Sequence, residues 1–273
     1  MTSPTTIVTI NTGKGDGPYA RRIELLAEGL AALAPEVVLL QESLVAQEID
    51  AHTANTLADR LAMHVVYASA RRKMREVEGV SVCSESGLAV LSRHQLRETT
   101  TIALPCDPAD GERIALLAIL QMDGASCLIA NVHLSHLRGR DDLRRAQFEA
   151  LLAHAWFREL HHVQLIGGDL NTPLNRLPEL FGGTQQWTWR DASAVAGGPK
   201  PRATFPADAA PDIGACIDFI LSVAPDGEAH PQFRGARVVL NCPDDAGIFP
   251  SDHRGVLVSM VVGEFGDMER VRS

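Results

Sequence analysis

The sequence predicts one α/β domain over residues 1–273, with central β-sheets covered by helices. Three observations predict it. Apolar runs of strand length, many of them β-branched, recur along the chain. Segments with apolar residues at helical spacing fall between them, so strands and helices are mixed throughout. A chain of 273 residues with 45% hydrophobic content can also bury a sizeable core.

The elements follow in order. Residues 6–10 read as a short β-branched strand. A glycine-rich turn at 13–17 leads into a helix that carries Ile23, Leu26, Ala27, Leu30 and Leu33 on one face, and Pro35 stops it. Residues 37–40 form a second buried strand. A helix is expected over 48–61 and a strand over 64–67. Residues 88–91, 114–120 and 128–132 are further strands, and Gly124 marks a hairpin turn between the last two. Residues 141–156 have helical spacing through Leu143, Phe148, Leu151 and Leu152. Strands over 163–166, 217–221, 238–240 and 256–262 complete the set. Residues 192–215 are rich in proline, glycine and alanine and read as a long loop, of the kind that tends to be functional or mobile.

Charge and cysteine content narrow the class. Lysine plus arginine is 25 and aspartate plus glutamate is 34, a net charge of −9. That disfavours a dedicated nucleic-acid binder, which needs a basic face. It does not disfavour an enzyme whose bound cation brings its own charge. The five cysteines, Cys83, Cys106, Cys127, Cys216 and Cys242, contain no Cys-x-x-Cys pair. They read as reduced, mostly buried thiols of a cytoplasmic protein. The polar start lacks the pattern of a signal peptide, and no apolar run approaches the ~20 residues that span a bilayer.

Polar residues fall at strand ends again and again. Asn11 ends the first strand; Gln41 and Glu42 end the second. Asn131 and His133 end the hairpin strand, and Asp169 and Asn171 follow residues 163–166 through Gly167 and Gly168. Asp218 opens a strand, and Ser251, Asp252 and His253 precede the last one. Such positions let a rigid scaffold hold catalytic groups. The residue types suit phosphoester hydrolysis. A phosphodiester is anionic, so its hydrolysis needs a cation, a base for water and donors for the phosphate oxygens. Glu42 and Asp252 are hard oxygen ligands of the kind magnesium takes, with manganese as substitute. His253 fits the base, with Asp218 fixing its tautomer. Asn11, Asn171 and His133 can donate to phosphate.

Six segments carry a resemblance. Thr9-Ile-Asn11, Leu40-Gln41-Glu42, Asn131-Val-His133-Leu, Gly168-Asp169-Leu-Asn171-Thr, Ile217-Asp218-Phe-Ile and Ser251-Asp252-His253 occur in the order seen in the endonuclease/exonuclease/phosphatase superfamily. The resemblance implies a four-layer sandwich of two packed mixed β-sheets flanked by helices. It implies that Glu42 is the principal metal ligand, helped by Asn11 and Asp252. Asp169 and Asn171 would position water and phosphate, and Asp218 and His253 would form the acid–base pair. Histidine at position 133 is more similar to the deoxyribonuclease, sphingomyelinase and phosphatase branches, and Glu85 is a counterpart of the glutamate that supports that histidine in deoxyribonucleases.

Rival motifs fit less well. Gly13-Lys-Gly15-Asp-Gly17 is G-x-G-x-G, neither a dinucleotide fingerprint nor a P-loop. Ser251, Asp252 and His253 are consecutive, unlike a serine triad, and no G-x-S-x-G is present. The basic run Arg71, Arg72, Lys73 and Arg75 reads as a solvated loop or, alternatively, as a contact to polymer phosphates. Arg138, Arg140, Arg144 and Arg145 carry the same two readings. Phe205, in the long loop before Asp218, is a further substrate-contact candidate beside a packing role. The expected function is a magnesium-dependent phosphodiester hydrolase, first as a nuclease with nucleic acid as partner. The alternatives are a phosphatase or phospholipase-C-like enzyme, and a non-catalytic binding protein of the same fold.

Overall fold

The computed structural model describes residues 4–159, 161–181, 186–195, 203–208 and 214–261. Two mixed sheets lie face to face. The first contains β1 (Thr5–Asn11), β2 (Val37–Ala46), β3 (Ala51–His52), β4 (His64–Val77), β5 (Val80–Ser92), β12 (Gln232–Val239) and β13 (Gly255–Val261). Its order is β12-β13-β1-β2-β5-β4, with β3 paired to β2. The second contains β6 (Leu96–Leu104), β7 (Arg113–Met122), β8 (Ala125–His133), β9 (Val163–Asp169), β10 (Trp187–Asp191) and β11 (Asp218–Pro225), in the order β10-β11-β9-β8-β7-β6. Each sheet has one parallel pair, β1 with β2 and β8 with β9. A parallel pair needs a long crossover. Helix α1 (Tyr19–Leu33) serves the first, and α3 (Asp141–Leu152) with α4 (Ala155–Arg158) serves the second.

Strand alternation builds the layers. Ile7, Val37, Leu39, Leu88 and Val90 face the second sheet and meet Leu116, Ala118, Ile129, Leu165 and Ile220 in the middle core. Their neighbours Val8, Ile10, Val38, Leu40 and Leu91 face outward and are covered by α1 and by α2 (Thr53–Leu61) through Ile23, Leu26, Leu30 and Leu57. The outer face of the second sheet packs on Phe148 and Leu151 of α3, Phe157 of α4, and Leu177 and Leu180 of α5 (Leu177–Leu180). The short helix α6 (Ala192–Val195) follows β10. The expected four-layer sandwich is therefore the observed one.

Several elements differ from expectation. The helix expected over 48–61 starts only at Thr53. Asp50 is left-handed at φ +51°, and the His52 ring accepts the Asn55 N–H as a cap. The helix expected over 141–156 breaks after Leu152, where His154 caps α4 by accepting the Trp156 N–H. The basic run is not a loop. Strand β4 continues through it, because Glu78 and Gly79 both have positive φ and close a tight hairpin onto β5. Strands β6 and β10 lack the apolar runs by which the other strands are read. Part of the long segment 192–215 and the expected strand end at 262 lie outside the described residues. All five cysteines are free, and only Cys127 is buried. Among the described residues, no helix is long and apolar enough to cross a membrane.

The second strand does not end at Leu40. It carries a bulge in which Gln41 and Glu42 together oppose Leu88 of β5. The bulge interrupts the ladder, and Asn131 reaches across from the other sheet to repair it. Its Nδ2 donates to the carbonyls of Leu40 and Ala89, each at 2.8 Å, and its Oδ1 accepts from Gln41 Nε2 at 2.7 Å. All of these groups are buried. Asn131→Ala would remove the side-chain donor to two carbonyls in the middle core, while Gln41 Nε2 keeps Thr9 Oγ1 and the Leu39 carbonyl. We expect a loss of about 3 kcal/mol or more in urea unfolding, since each orphaned group costs about 1–3 kcal/mol. A loss below about 1 kcal/mol would mean that water replaces the amide.

Candidate active site

The polar strand ends converge on one edge of the sandwich. They line a cleft of about 610 Å³. Asn11 comes from the end of β1, Glu42 from the β2 bulge, His133 from the end of β8, and Asp169 from the end of β9. Asn171 follows two residues on, and Asp252 and His253 arrive just before β13. Asp218 opens β11 and pairs in register with Asp169, which places the two carboxylates side by side.

Local backbone aims the groups. Glu42 is left-handed at φ +54°. A glutamate in that conformation costs of order 1 kcal/mol, and the bulge imposes it. Gly168 allows the approach that delivers Asp169: at φ +143° a Cβ there would lie 1.9 Å from the Val132 carbonyl oxygen. Asn171 sits at φ +47° in a turn where its N–H donates to Asp169 Oδ1 at 2.9 Å and its Nδ2 donates to the Leu134 carbonyl at 3.0 Å.

Asp169 is the hub. Its Oδ2 accepts from Asn11 Nδ2 at 3.1 Å and lies 3.5 Å from His133 Nε2 and 3.8 Å from His253 Nε2. On the far side of its ring, His253 Nδ1 donates to Asp218 Oδ2 at 2.9 Å. Glu42 Oε1 stands 2.5 Å from Lys14 Nζ and 3.9 Å from His133 Nδ1. The Phe205 ring packs on the His253 ring with centroids 4.7 Å apart, and it lines the cleft.

The electrostatics are unbalanced towards negative charge. Burial alone would lower the His253 pKa, but Asp218, Asp169 and Asp252 together raise it to about 10. Burial and the adjacent Asp218 charge raise Asp169. His133 shifts the other way, first through burial and then through Arg113 and Lys14, so it is neutral. Asp218 Oδ1 is buried without a hydrogen-bond partner. Such a group of carboxylates suits a cation. Asp169, Asp218 and His253 offer ligand atoms within 4.8 Å of one another and could hold a metal ion. Glu42, Asn11 and Asp252, expected as the ligand set, line the same cleft.

Other expected contacts divide. Arg71, Lys73 and Arg75 alternate onto the cleft side of β4. Arg72 does not join them, because alternation turns it outward, where its Nε donates to Cys83 Sγ at 3.2 Å. Glu85 pairs with Arg72 across the ribbon, on the side opposite Ser86, which lines the cleft. It is therefore not the support expected for His133. Arg138 lines the cleft. Arg140 and Arg144 instead hold Asp107 and Asp141, and Arg145 donates to the Glu179 carbonyl. Ser251 bonds the Asn11 carbonyl at 2.6 Å, and the carboxylate partner of His253 is Asp218, so no serine triad forms.

Three residues that sequence reasoning passed over also shape the site. Lys14 meets Glu42. Arg22 donates to the carbonyls of Thr12, Gly13, Asp16 and Pro250, which joins the loop after β1 to the loop that brings Asp252. Its signal was a charged residue beside Ile23 on the apolar face of α1. Arg254 donates to Ala203 and Ala207 and fixes the segment that bears Phe205.

The Endonuclease/Exonuclease/phosphatase family profile matches residues 8–253. Comparison with curated proteins gives no match. Among solved structures, D. rerio TDP2 complexed with a single-strand DNA product is 18% identical with a TM-score of 0.73, covering 95% of this chain and 100% of that one. An endonuclease/exonuclease/phosphatase from Beutenbergia cavernae is 21% identical with a TM-score of 0.74, over 96% of this chain and 72% of that one. A functionally unknown conserved protein from Enterococcus faecalis is 21% identical with a TM-score of 0.69, over 94% and 99%. At these identities the structural likeness speaks for the fold, and the profile match speaks for descent: this chain belongs to the endonuclease/exonuclease/phosphatase family.

Proposed function

We propose that the protein is a divalent-metal-dependent phosphodiester hydrolase with nuclease activity. The observation that carries this reading is the chain of contacts Asp218–His253–Asp169–Asn11 in a cleft that also holds Glu42. His253, held through Nδ1 by Asp218, turns Nε2 towards Asp169. That is the geometry of an acid–base pair with a water-orienting carboxylate. Neutral His133, with Asn171, is placed to donate to phosphate oxygens. Two sets of residues compete for the cation. An ion among Asp169, Asp218 and His253 would disrupt the 2.9 Å bond between His253 and Asp218. Glu42, with Asn11 and Asp252, offers hard oxygens without that loss, and we assign magnesium or manganese to this set. Bound there, the ion supplies positive charge for the phosphoryl oxygens. The DNA product held by D. rerio TDP2 and the cationic wall of this cleft support a nucleic-acid substrate.

Three outcomes follow. A chelator abolishes turnover and magnesium or manganese restores it, while Glu42→Gln folds normally and loses about 100-fold or more in kcat/KM. Full activity in metal-free protein would sink the assignment. Asp218→Asn and His253→Ala each lower kcat by about 100-fold or more, and the double variant loses little beyond either single one. Strictly additive losses would show two separate roles. Replacing Arg71, Lys73 and Arg75 by glutamine flattens the log–log salt dependence of kcat/KM on single-stranded DNA by about 0.7 per lost phosphate contact. Arg72→Gln, outside the cleft, leaves that slope in place. If the triple variant keeps the wild-type slope, the ribbon does not contact the strand.

A further inference from the structure

A second cluster lines the same cleft. Asp110, in the connection between β6 and β7, has a fully buried side chain. Burial would raise its pKa, but bonds from Arg113 and Ser135 hold it below the ordinary carboxylate value, so it is charged. Arg113 grips it twice, through Nη2 at 2.5 Å and Nε at 3.1 Å. His136, three residues beyond His133, places Nδ1 2.6 Å from the same carboxylate and 2.8 Å from Arg113 Nη2. From β4, Arg71 Nη1 donates to the Asp110 carbonyl at 3.0 Å. Arg113 also donates to the His133 carbonyl at 3.3 Å, which ties the cluster to the main site.

A purely structural tie would bury its imidazole. Here the His136 side chain is 56% exposed and lines the cleft, while its Nδ1 is fixed on a buried anion. The Nε2 nitrogen is thereby left to the cleft in a set orientation. Five cationic side chains, Arg71, Lys73, Arg75, Arg113 and Arg138, share that cleft with His136, in a protein whose net charge is −9. Lys14 is a sixth, and six carboxylates, Asp16, Glu42, Asp110, Glu112, Asp169 and Asp252, line the same cleft; beside His136, however, the buried Asp110 is held by both Arg113 and Arg71, and the imidazole faces the cleft next to them. One phosphate under attack beside Asp169 would leave this exposed imidazole and its anchored nitrogen without a role. We propose that His136, oriented by Asp110 and flanked by Arg71, forms a subsite for a second phosphate of the substrate, adjacent to the scissile one. This rests on the phosphodiesterase reading and adds to it a substrate bearing at least two phosphates, bound at two separate places. His136 is a specificity residue here. It donates Nε2–H to the distal phosphate, with Nδ1 held between the Arg113 guanidinium and the Asp110 carboxylate.

The test uses thymidylyl-thymidine and its two forms with an added terminal phosphate, at the 5′ or the 3′ end. With magnesium or manganese, wild type prefers one phosphorylated form over the parent by about tenfold in kcat/KM, the size of one charge-assisted hydrogen bond. In His136→Ala that ratio falls close to one, mainly through KM; His136→Gln, which keeps a donor, retains part of it. Thermal melting of both variants checks that they are folded. No preference in the wild type, or an undiminished preference in His136→Ala, overturns the subsite. A parallel measurement needs no turnover. In chelator, thymidine 3′,5′-bisphosphate binds wild type about tenfold more tightly than His136→Ala by calorimetry, and thymidine does not distinguish them. Equal affinity for the bisphosphate also overturns the proposal. If no dinucleotide and no bis-p-nitrophenyl phosphate is hydrolysed yet the bisphosphate discriminates, the phosphodiesterase reading fails and the subsite stands.

Discussion

The bulge at Gln41 and Glu42 constrains everything around the site. A regular β2 would pair every residue with β5, and position 42 would follow the pleat into one of the cores. The extra residue breaks that register, and the left-handed conformation aims the carboxylate into the cleft. It also leaves the ladder incomplete within a dry inter-sheet core. Asn131 completes it from the opposite sheet, bonding the carbonyls on both sides of the interruption. One amide thus fixes the distance between the sheets and the placement of Glu42 together. Because Asn131 is two residues before His133 on the same strand, the tie that supports Glu42 also sets the histidine beside it.

The site concentrates charge that the scaffold does not neutralise. Glu42, Asp169 and Asp252 line one cleft with Asp218 buried behind His253, and their excess is visible as a raised histidine and a raised aspartate. Lys14 offsets part of the charge at Glu42. A bound cation would offset more and would draw the His253 pKa down towards the range useful to a base. The cleft also has a basic side, because β4 and β5 stay paired as a ribbon out to Val77 and Val80. Alternation then puts every second basic residue of the run inward. On the function proposed above, the basic ribbon attracts a polyanionic substrate, whereas the carboxylates repel it until a cation is bound among them.

The fold and most of the site were legible in the sequence for identifiable reasons. The strands that read clearly are those buried on both faces, such as β2, β8 and β9, where no polar residue interrupts the apolar run. Gly124 announced the β7–β8 hairpin, where both it and Asp123 are left-handed. The ribbon was missed because its residues face solvent or the cleft, so hydrophobic periodicity gives no sign of it; only Glu78-Gly79 marks the turn. Strand β6, with its run of threonines, was missed for the same reason. The site residues could be read because each lies next to a strong apolar run. Asp110 and Arg113 precede a strand rather than end one, and His136 follows the motif that drew attention to His133. Their association depends on a long-range meeting of β4, β7 and β8 that no local pattern encodes.

Topology explains why one edge collects every functional group. In each sheet a parallel pair supplies two chain ends at the same edge: β1 and β2 in one, β8 and β9 in the other. Each pair is flanked by an antiparallel strand that begins where they end. Strand β13 runs against β1, so His253 enters beside Asn11; β11 runs against β9, so Asp218 begins opposite Asp169. The two sheets repeat this arrangement face to face, and β1 and β2 lie against β9 and β8. The polar groups of the candidate site therefore come from six separate chain segments without any of them leaving its strand by more than two or three residues. That brevity limits motion at the reacting centre, since each group stands next to a hydrogen-bonded ladder. The variation that such a scaffold tolerates is displaced to the connections around the rim, the β4–β5 ribbon, the segment between β6 and β7, and the segment that carries Phe205. Those are the places from which this chain presents Arg71, Lys73, Arg75 and Phe205 to the cleft.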